Sequence, residues 1–269
     1  MKVGMVVAAL VSAIFLFLPI GAVAGNWAFI LVPGILVAMY ALARTDVGEA
    51  LVAALSRVNF AHPAAGPIRE AMERTFPGEV LPAGLRVGVI ASPIANAFAL
   101  GRRTVAVTEG LLQTAGPEEL AGVLAHELGH LKHGDALALA RVVFVYTPGM
   151  WAATLVNWVA WVGANFIART GLVGWFMAAG VYYPWLAMAR LLNFVTTAVV
   201  MKQSRDAEFR ADGFAGEVSP TCRAGLISFL EKLHAWESQA GRRPGGLVAA
   251  LLASHPPTRE RIERLRGAA

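Results

Sequence analysis

The chain has 269 residues, 57% of them hydrophobic, a mean hydropathy of +0.57 and a net charge of +5. That length holds one catalytic domain plus several membrane spans. The positive balance, without interleaved aromatic and basic residues, suits an anionic lipid surface better than a nucleic acid. The single cysteine, Cys222, excludes an internal disulfide, fits a reducing compartment and reads as a small buried apolar residue.

The N-terminal stretch from Val3 to Ala43 carries no charged residue. It is too long for one span of about 20 residues. It breaks at Gly21–Asn26, "GAVAGN", a turn between two helices. With Lys2 ahead of it, its first part has an apolar core and a small A-x-A site, as a secretory signal does. The long core, the single charge ahead of it and the second apolar segment behind it favour a retained helix.

A polar block follows, roughly Arg44–Arg141. Within it Leu85–Ser92 ("LRVGVIAS") and Arg103–Thr108 ("RTVAVT") read as strands, with "SPIANAFALG" between them. Pro117–His133 reads as a helix. Pro117 suits its first position, Glu118 and Glu119 its positive end, and Gly134 its stop.

That helix carries "AHELGHLKH". His126 and His130 lie four residues apart and project from one face, so one tetrahedral ion could bind both. Glu127 beside them is placed to act on a metal-bound water. Alone, the same spelling also fits an ordinary amphipathic helix with two histidines. His133 is not a third ligand, because it lies about 10 Å along the axis from His126. The longer metzincin pattern fails too, since it needs Gly at His133 and His at Ala136. His133 reads instead as a C-terminal cap.

Two further uncharged stretches follow, Val142–Ala168 and Thr170–Ala189, the second resuming after Arg190 to Met201. Arg190 has either a partner inside a helix bundle or a headgroup beside it, at the end of a span. Arg44, Arg57, Arg69, Arg74, Lys132, Lys202 and Arg205 all fall outside the inter-span turns. Basic-residue placement therefore puts both termini and the polar sequence in the cytoplasm. The expected organisation is a transmembrane hairpin at 1–43 and a first part of a cytoplasmic domain at 44–138. A second hairpin follows at 139–201, then the second part of the domain at 202–269. The two polar blocks together make about 165 residues, a comfortable single domain.

A helix running straight out of the last span carries "SRDAEFRAD". Glu208 offers a third metal ligand, and Asp212, one turn on, could hold a ligand histidine in orientation. A solvated charged face is the competing reading. His62 and His234 match no motif and read as structural. "RRPGG", Arg242 to Gly246, reads as a surface loop.

Four stretches taken together, "SPIANAFALGRRTVAVTEGLLQ", "ELAGVLAHELGHLKHGD", "KQSRDAEFRADGFA" and "SHPPTRERI", resemble the HtpX-type membrane zinc metallopeptidases, relatives of the type I CAAX prenyl proteases. The resemblance implies an α-helical membrane protein with four transmembrane helices in two hairpins. It also implies a cytoplasmic α+β gluzincin-like domain, mostly helical with a small β-sheet. It implies one Zn2+ per chain held by His126, His130 and Glu208, with Glu127 as general base and Asp212 supporting a ligand. Asn96, Ala97 and Phe98 match an edge strand that pairs with substrate backbone. His255 and Arg261 match an element placed to stabilise the developing oxyanion. The implied activity is a zinc endopeptidase of the cytoplasmic membrane, cleaving cytoplasmic regions of misfolded or damaged membrane proteins. Its partners would be polypeptide substrates and the lipid bilayer, with no nucleic acid. A non-catalytic scaffold of the same fold and a prenyl-peptide protease are the alternatives. The flanks "GPEEL" and "LKHGD" disfavour an intramembrane protease with histidines inside an apolar span.

Overall fold

The computed structural model describes residues 2–240 and 257–267, mostly helical with one small sheet. The chain divides into two compact units, Met1–Leu42 with Arg141–Val200, and Ala43–Ala140 with Met201–Ala269.

The first unit is built from apolar helices. Helix α1 (Lys2–Ala24) leads through a 3-10 turn, Gly25–Trp27, into α2 (Ala28–Leu42). Gly25 takes a positive φ of 55°, a backbone state that favours glycine, so the turn forms there. Much of α7 (Asp135–Ala168) and α8 (Leu172–Val218) belongs to the same unit. Val11, Phe15, Leu16, Val32, Ala152 and Ala153 form its buried cluster, and Trp185 meets Phe15 edge-on at 5.7 Å. Beside Pro148, which has no N–H of its own, the Gly149 N–H donates to buried Ser12 Oγ at 2.9 Å. A Cβ on Gly149 would lie 2.3 Å from Ser12 Cα, so glycine is what lets α1 and α7 touch.

Large apolar side chains cover the outside of this unit, among them Phe29, Trp151, Phe166 and Leu172. So much exposed apolar surface requires a lipid solvent. Among the described residues, three helical stretches are long and apolar enough to cross a membrane: Lys2–Leu42, which contains both α1 and α2, Asp135–Ala168, and Leu172–Phe194. Arg190 is exposed on the third, while its neighbours Ala189 and Leu192 turn onto the apolar cluster.

The second unit contains α3 (Asp46–Leu55), α4 (Ala65–Thr75) and strands β1 (Arg86–Ile90), β2 (Ala97–Leu100) and β3 (Thr104–Thr108). Short α5 (Glu109–Thr114) leads to α6 (Pro117–Lys132), and α9 (Pro220–Ala240) and α10 (Thr258–Gly267) complete it. The sheet order is β1-β3-β2, with β1 parallel and β2 antiparallel to β3. Every residue of β3 is buried, as its central place requires. Local residue patterns mark β1 and β3, whereas β2 was expected only from the family resemblance at Asn96–Phe98; its Ala-Phe-Ala-Leu lacks β-branched residues and is defined by its pairing with β3.

Helix α6 begins as predicted. Glu119 closes its first turn by accepting from Gly116 N at 2.8 Å, and Ser228 and Lys232 of α9 donate to the same carboxylate. These bonds outweigh the cost of burial and lower the Glu119 pKa. The end is also as predicted. His133 is the C-cap, its Nδ1 lies 2.8 Å from Gly129 O, and Gly134 takes a positive φ. Val123, Leu124, Leu128 and Leu131 of α6 enter the core with Cys222, Leu226, Phe229 and Leu230 of α9. The two helices cross where Gly122 faces Leu226 N and Gly225 faces Glu118 O, at 2.3 and 2.0 Å from would-be Cβ atoms.

Candidate active site

Two helices present the site. α6 contributes His126, Glu127 and His130, and α8 contributes Glu208 and Asp212. All are buried or nearly so. A close approach of the helices sets their spacing. A Cβ on Gly129 would meet Ala211 Cα at 3.0 Å and Phe214 Cδ1 at 3.1 Å. Gly129 lies between the histidines in sequence, and Ala211 between the two acids. The absence of a side chain at Gly129 thus brings both pairs within reach.

His126 Nε2 lies 3.5 Å from Glu208 Oε2, and His130 Nε2 lies 3.4 Å from Glu208 Oε1. The two rings stand at 87° with centroids 4.7 Å apart. One donor atom from each of the three residues falls within 4.8 Å of the others. Ligand atoms about 2.0–2.2 Å from one zinc ion at tetrahedral angles stand about 3.3–3.6 Å apart. Each ring-to-carboxylate distance falls in that range, one to each Glu208 oxygen, and two imidazoles with one carboxylate are a zinc donor set.

Each histidine presents its Nε2 to the shared centre and its Nδ1 to a different carboxylate. His126 Nδ1 donates to Asp212 Oδ1 at 2.9 Å. His130 Nδ1 faces Asp135 Oδ2 at 3.6 Å, and Arg210 Nη2 holds the other oxygen of Asp135 at 2.7 Å. Such outer contacts fix the tautomer that leaves Nε2 free for a metal. The sequence reading assigned this kind of role to Asp212 but gave none to Asp135. The available signal was an acid directly after the glycine that stops the ligand helix.

Arg261 of α10 is only 7% exposed. Its Nε and Nη2 fork onto Asp212 at 2.8 and 2.6 Å, and its Nη1 lies 3.3 Å from Glu208 Oε2. Nη2 stands 3.5 Å from both ring nitrogens of His126. Burial opposes its charge, but the Asp212 and Glu208 carboxylates more than compensate and raise its pKa. Arg261 in turn holds Asp212 far below the usual carboxylate range, against a burial effect of opposite sign.

Four buried carboxylates, Glu127, Asp135, Glu208 and Asp212, thus face two guanidinium groups, Arg210 and Arg261. The centre lacks two positive charges. The imidazoles respond accordingly. Burial would lower His126, but hydrogen bonds to Asp212 and Glu208 raise it. Burial would lower His130 as well, yet contacts with Asp135 and Glu208 lift it to about 10. Two protons or one dication balance the same deficit, so the centre could exchange the protons for a divalent ion.

The other expected positions fall as follows. Ala97 and Phe98 lie in β2, an edge of the three-stranded sheet, and α6 packs alongside it. Asn96 precedes the strand and is locked to Thr108, its N–H donating to Oγ1 at 2.9 Å and its carbonyl accepting from Thr108 N at 3.0 Å. His255 and the Arg242–Gly246 loop lie outside the described residues. His62 stabilises its own turn by accepting from Ala64 N, and Cys222 is free and buried.

A profile of peptidase family M48 matches residues 67–269, three quarters of the chain. The chain belongs to peptidase family M48. Among its relatives is Protease HtpX of Pseudomonas aeruginosa, 33% identical over 206 residues, 68% of this chain and 66% of that one. Protease HtpX of Pseudomonas putida is 36% identical over 197 residues, 67% and 64% of the two chains. The chain spans slightly less than two thirds of the length of these relatives. In fold it is similar to Ste24p of S. mikatae, with a TM-score of 0.52 at 17% identity, over 94% of this chain and 61% of that one. The HtpX resemblance in the sequence is thereby met. Family membership and the apolar helices together make this an integral membrane member of the family.

Proposed function

We propose that this M48 chain is a membrane-anchored zinc endopeptidase that hydrolyses polypeptides presented at the membrane surface. One observation carries the reading: His126, His130 and Glu208 converge with donor spacings that fit one ion, and Glu127 is buried beside them. His126 Nε2, His130 Nε2 and a Glu208 oxygen hold the metal, one per chain. Zinc, when bound there, supplies Lewis acidity that activates water and polarises a peptide carbonyl.

The remaining work falls to the chain's own side chains. Asp212 and Asp135 orient the two imidazoles through Nδ1. The Glu127 carboxylate takes a proton from the attacking water and returns it to the leaving amine. The edge strand β2, with Asn96, Ala97 and Phe98, pairs with an extended substrate, so sequence preference is loose. Arg261, clamped to Asp212, has Nη1 turned toward Glu208, and with His255 it offsets charge on the carbonyl oxygen.

The same proposal includes four spans in two hairpins in the cytoplasmic membrane, with the peptidase unit and both termini cytoplasmic. Apolar continuity and the placement of basic residues support it. The proposed substrates are cytoplasmic regions of misfolded or damaged membrane proteins. The test is co-reconstitution with a single-span reporter bearing either a folded or an unfolded tail. The reading expects cleavage of the unfolded tail alone, abolished by chelator and restored by zinc. Cleavage confined to a prenylated peptide would contradict the substrate class.

A further inference from the structure

Helix α3 is inside out for a helix facing water. Its exposed positions after Asp46 are Val47, Ala50, Leu51, Ala54 and Leu55, without one polar side chain. Val47 is 69% exposed and Leu55 76%. The side turned to the protein is Gly48, Glu49 and Ala53, so the Glu49 carboxylate in mid-helix points inward. A surface helix in water has the opposite arrangement.

Glu49 is held where it points. Its carboxylate accepts from Thr104 Oγ1 at 2.5 Å and from the backbone N–H groups of Arg102 and Arg103, each at 3.3 Å. It fills the turn between β2 and β3, where a Cβ on Gly101 would lie 2.7 Å from its Cγ. Asp46, at the start of the helix, is neutralised by Arg102 and Arg103 at 2.6 and 2.9 Å. Exposed Arg44 and Arg57 flank the helix at its two ends.

Two observations identify the occupant of the apolar face. Only Ala43, Arg44 and Thr45 separate α3 from Leu42, the end of an apolar stretch long enough to cross a bilayer. Arginines at both ends complement anionic headgroups, as in helices that lie in the membrane interface.

We propose that α3 lies in the headgroup–acyl boundary of the bilayer the chain spans, its Val47–Leu51–Leu55 face in lipid. Through Glu49 it holds the β2–β3 turn, and so the edge strand β2, at the membrane surface. The second half rests on the peptidase reading, and the first does not. Peptide segments emerging from the bilayer are then the chains that β2 meets first.

The test uses the full chain with Cys222→Ala, reconstituted in phosphatidylethanolamine–phosphatidylglycerol vesicles. A polarity-sensitive dye is attached to Leu51→Cys, to Leu55→Cys, or to Glu70→Cys on exposed α4 as a water-facing control. Doxyl-labelled lipid should quench the dyes at 51 and 55 about fivefold more than at 70, with iodide showing the reverse order. Iodide quenching at 51 and 55 equal to that at 70 overturns the anchor. Protection from both quenchers overturns it too, in favour of a protein partner.

For the second half, Leu51→Gln combined with Leu55→Gln should leave casein hydrolysis in detergent unchanged. Cleavage of a vesicle-embedded reporter should fall about fivefold. Undiminished reporter cleavage overturns the presentation role while the quenching result still decides the anchor. Failure of the parent protein to cleave either substrate removes the peptidase reading and the presentation role with it.

Discussion

Raising the pH from 7 to 8.5 should tighten zinc binding steeply. The two ligand imidazoles must be neutral to bind a metal, yet in the metal-free centre they sit among four carboxylates and only two guanidinium groups. His130 alone, raised to about 10, keeps its proton across this range. At pH 7 a proton held with a pKa of about 10 opposes the metal by about 4 kcal/mol, at about 1.4 kcal/mol per pH unit. Affinity should then rise about tenfold per pH unit if one proton is displaced, and about 100-fold if both are. Histidines with the ordinary pKa near 6.5 would give an almost flat profile above pH 7. Competition with a chromophoric chelator at pH 7, 7.75 and 8.5 measures the slope, about three-quarters of a decade per step for one proton and about twice that for two. Calorimetry in buffers of different ionisation enthalpy counts the protons released. A flat profile with no proton release would refute the charge argument. The metal-free fold should respond in the opposite sense. A raised histidine pKa adds stability that is full below about 6.5 and lost as pH climbs through about 10. Chelator-treated protein should therefore melt at lower temperature as pH rises, and zinc should restore most at the alkaline end.

Gly129→Ala should push α6 and α8 apart by a few tenths of an ångström, given the 3.0 Å approach to Ala211 Cα. We expect a loss of about 1–3 kcal/mol in stability and zinc loading below one ion per chain, read by thermal melts and metal analysis. Asp212→Asn and Asp135→Asn each remove a carboxylate facing a ligand Nδ1 and should weaken zinc about 10–100-fold. An Asp135→Asn variant with unchanged affinity would show that the 3.6 Å contact to His130 has no role. Gly225→Val should cost about 3 kcal/mol, because its side chain would collide with the Glu118 carbonyl where α6 and α9 cross. A melt unchanged by that substitution would contradict the packing.

The candidate metal-binding residues were legible because helices repeat. His126 and His130, and Glu208 and Asp212, each lie one turn apart, and that spacing survives folding. Both ends of α6 were legible for a similar reason, since Pro117, Glu119 and Gly134 act locally. Periodicity did not yield β2, whose identity depends on its register with β3. Helix α3 escaped notice because its apolar residues face outward, and only the position of Glu49 in the β2–β3 turn shows which face is inside. Asp135 was passed over because its role depends on where α7 starts relative to His130, a tertiary fact that no local signal carries.

The central claim is that the His126–His130–Glu208 centre makes Glu127 a general base for peptide hydrolysis. Wild type and Glu127→Gln should be purified side by side, with zinc content and casein hydrolysis measured on the same samples. The account predicts about one zinc per chain in both, and cleavage by wild type alone. Equal cleavage by the two proteins, or zinc in neither after reconstitution, would contradict it.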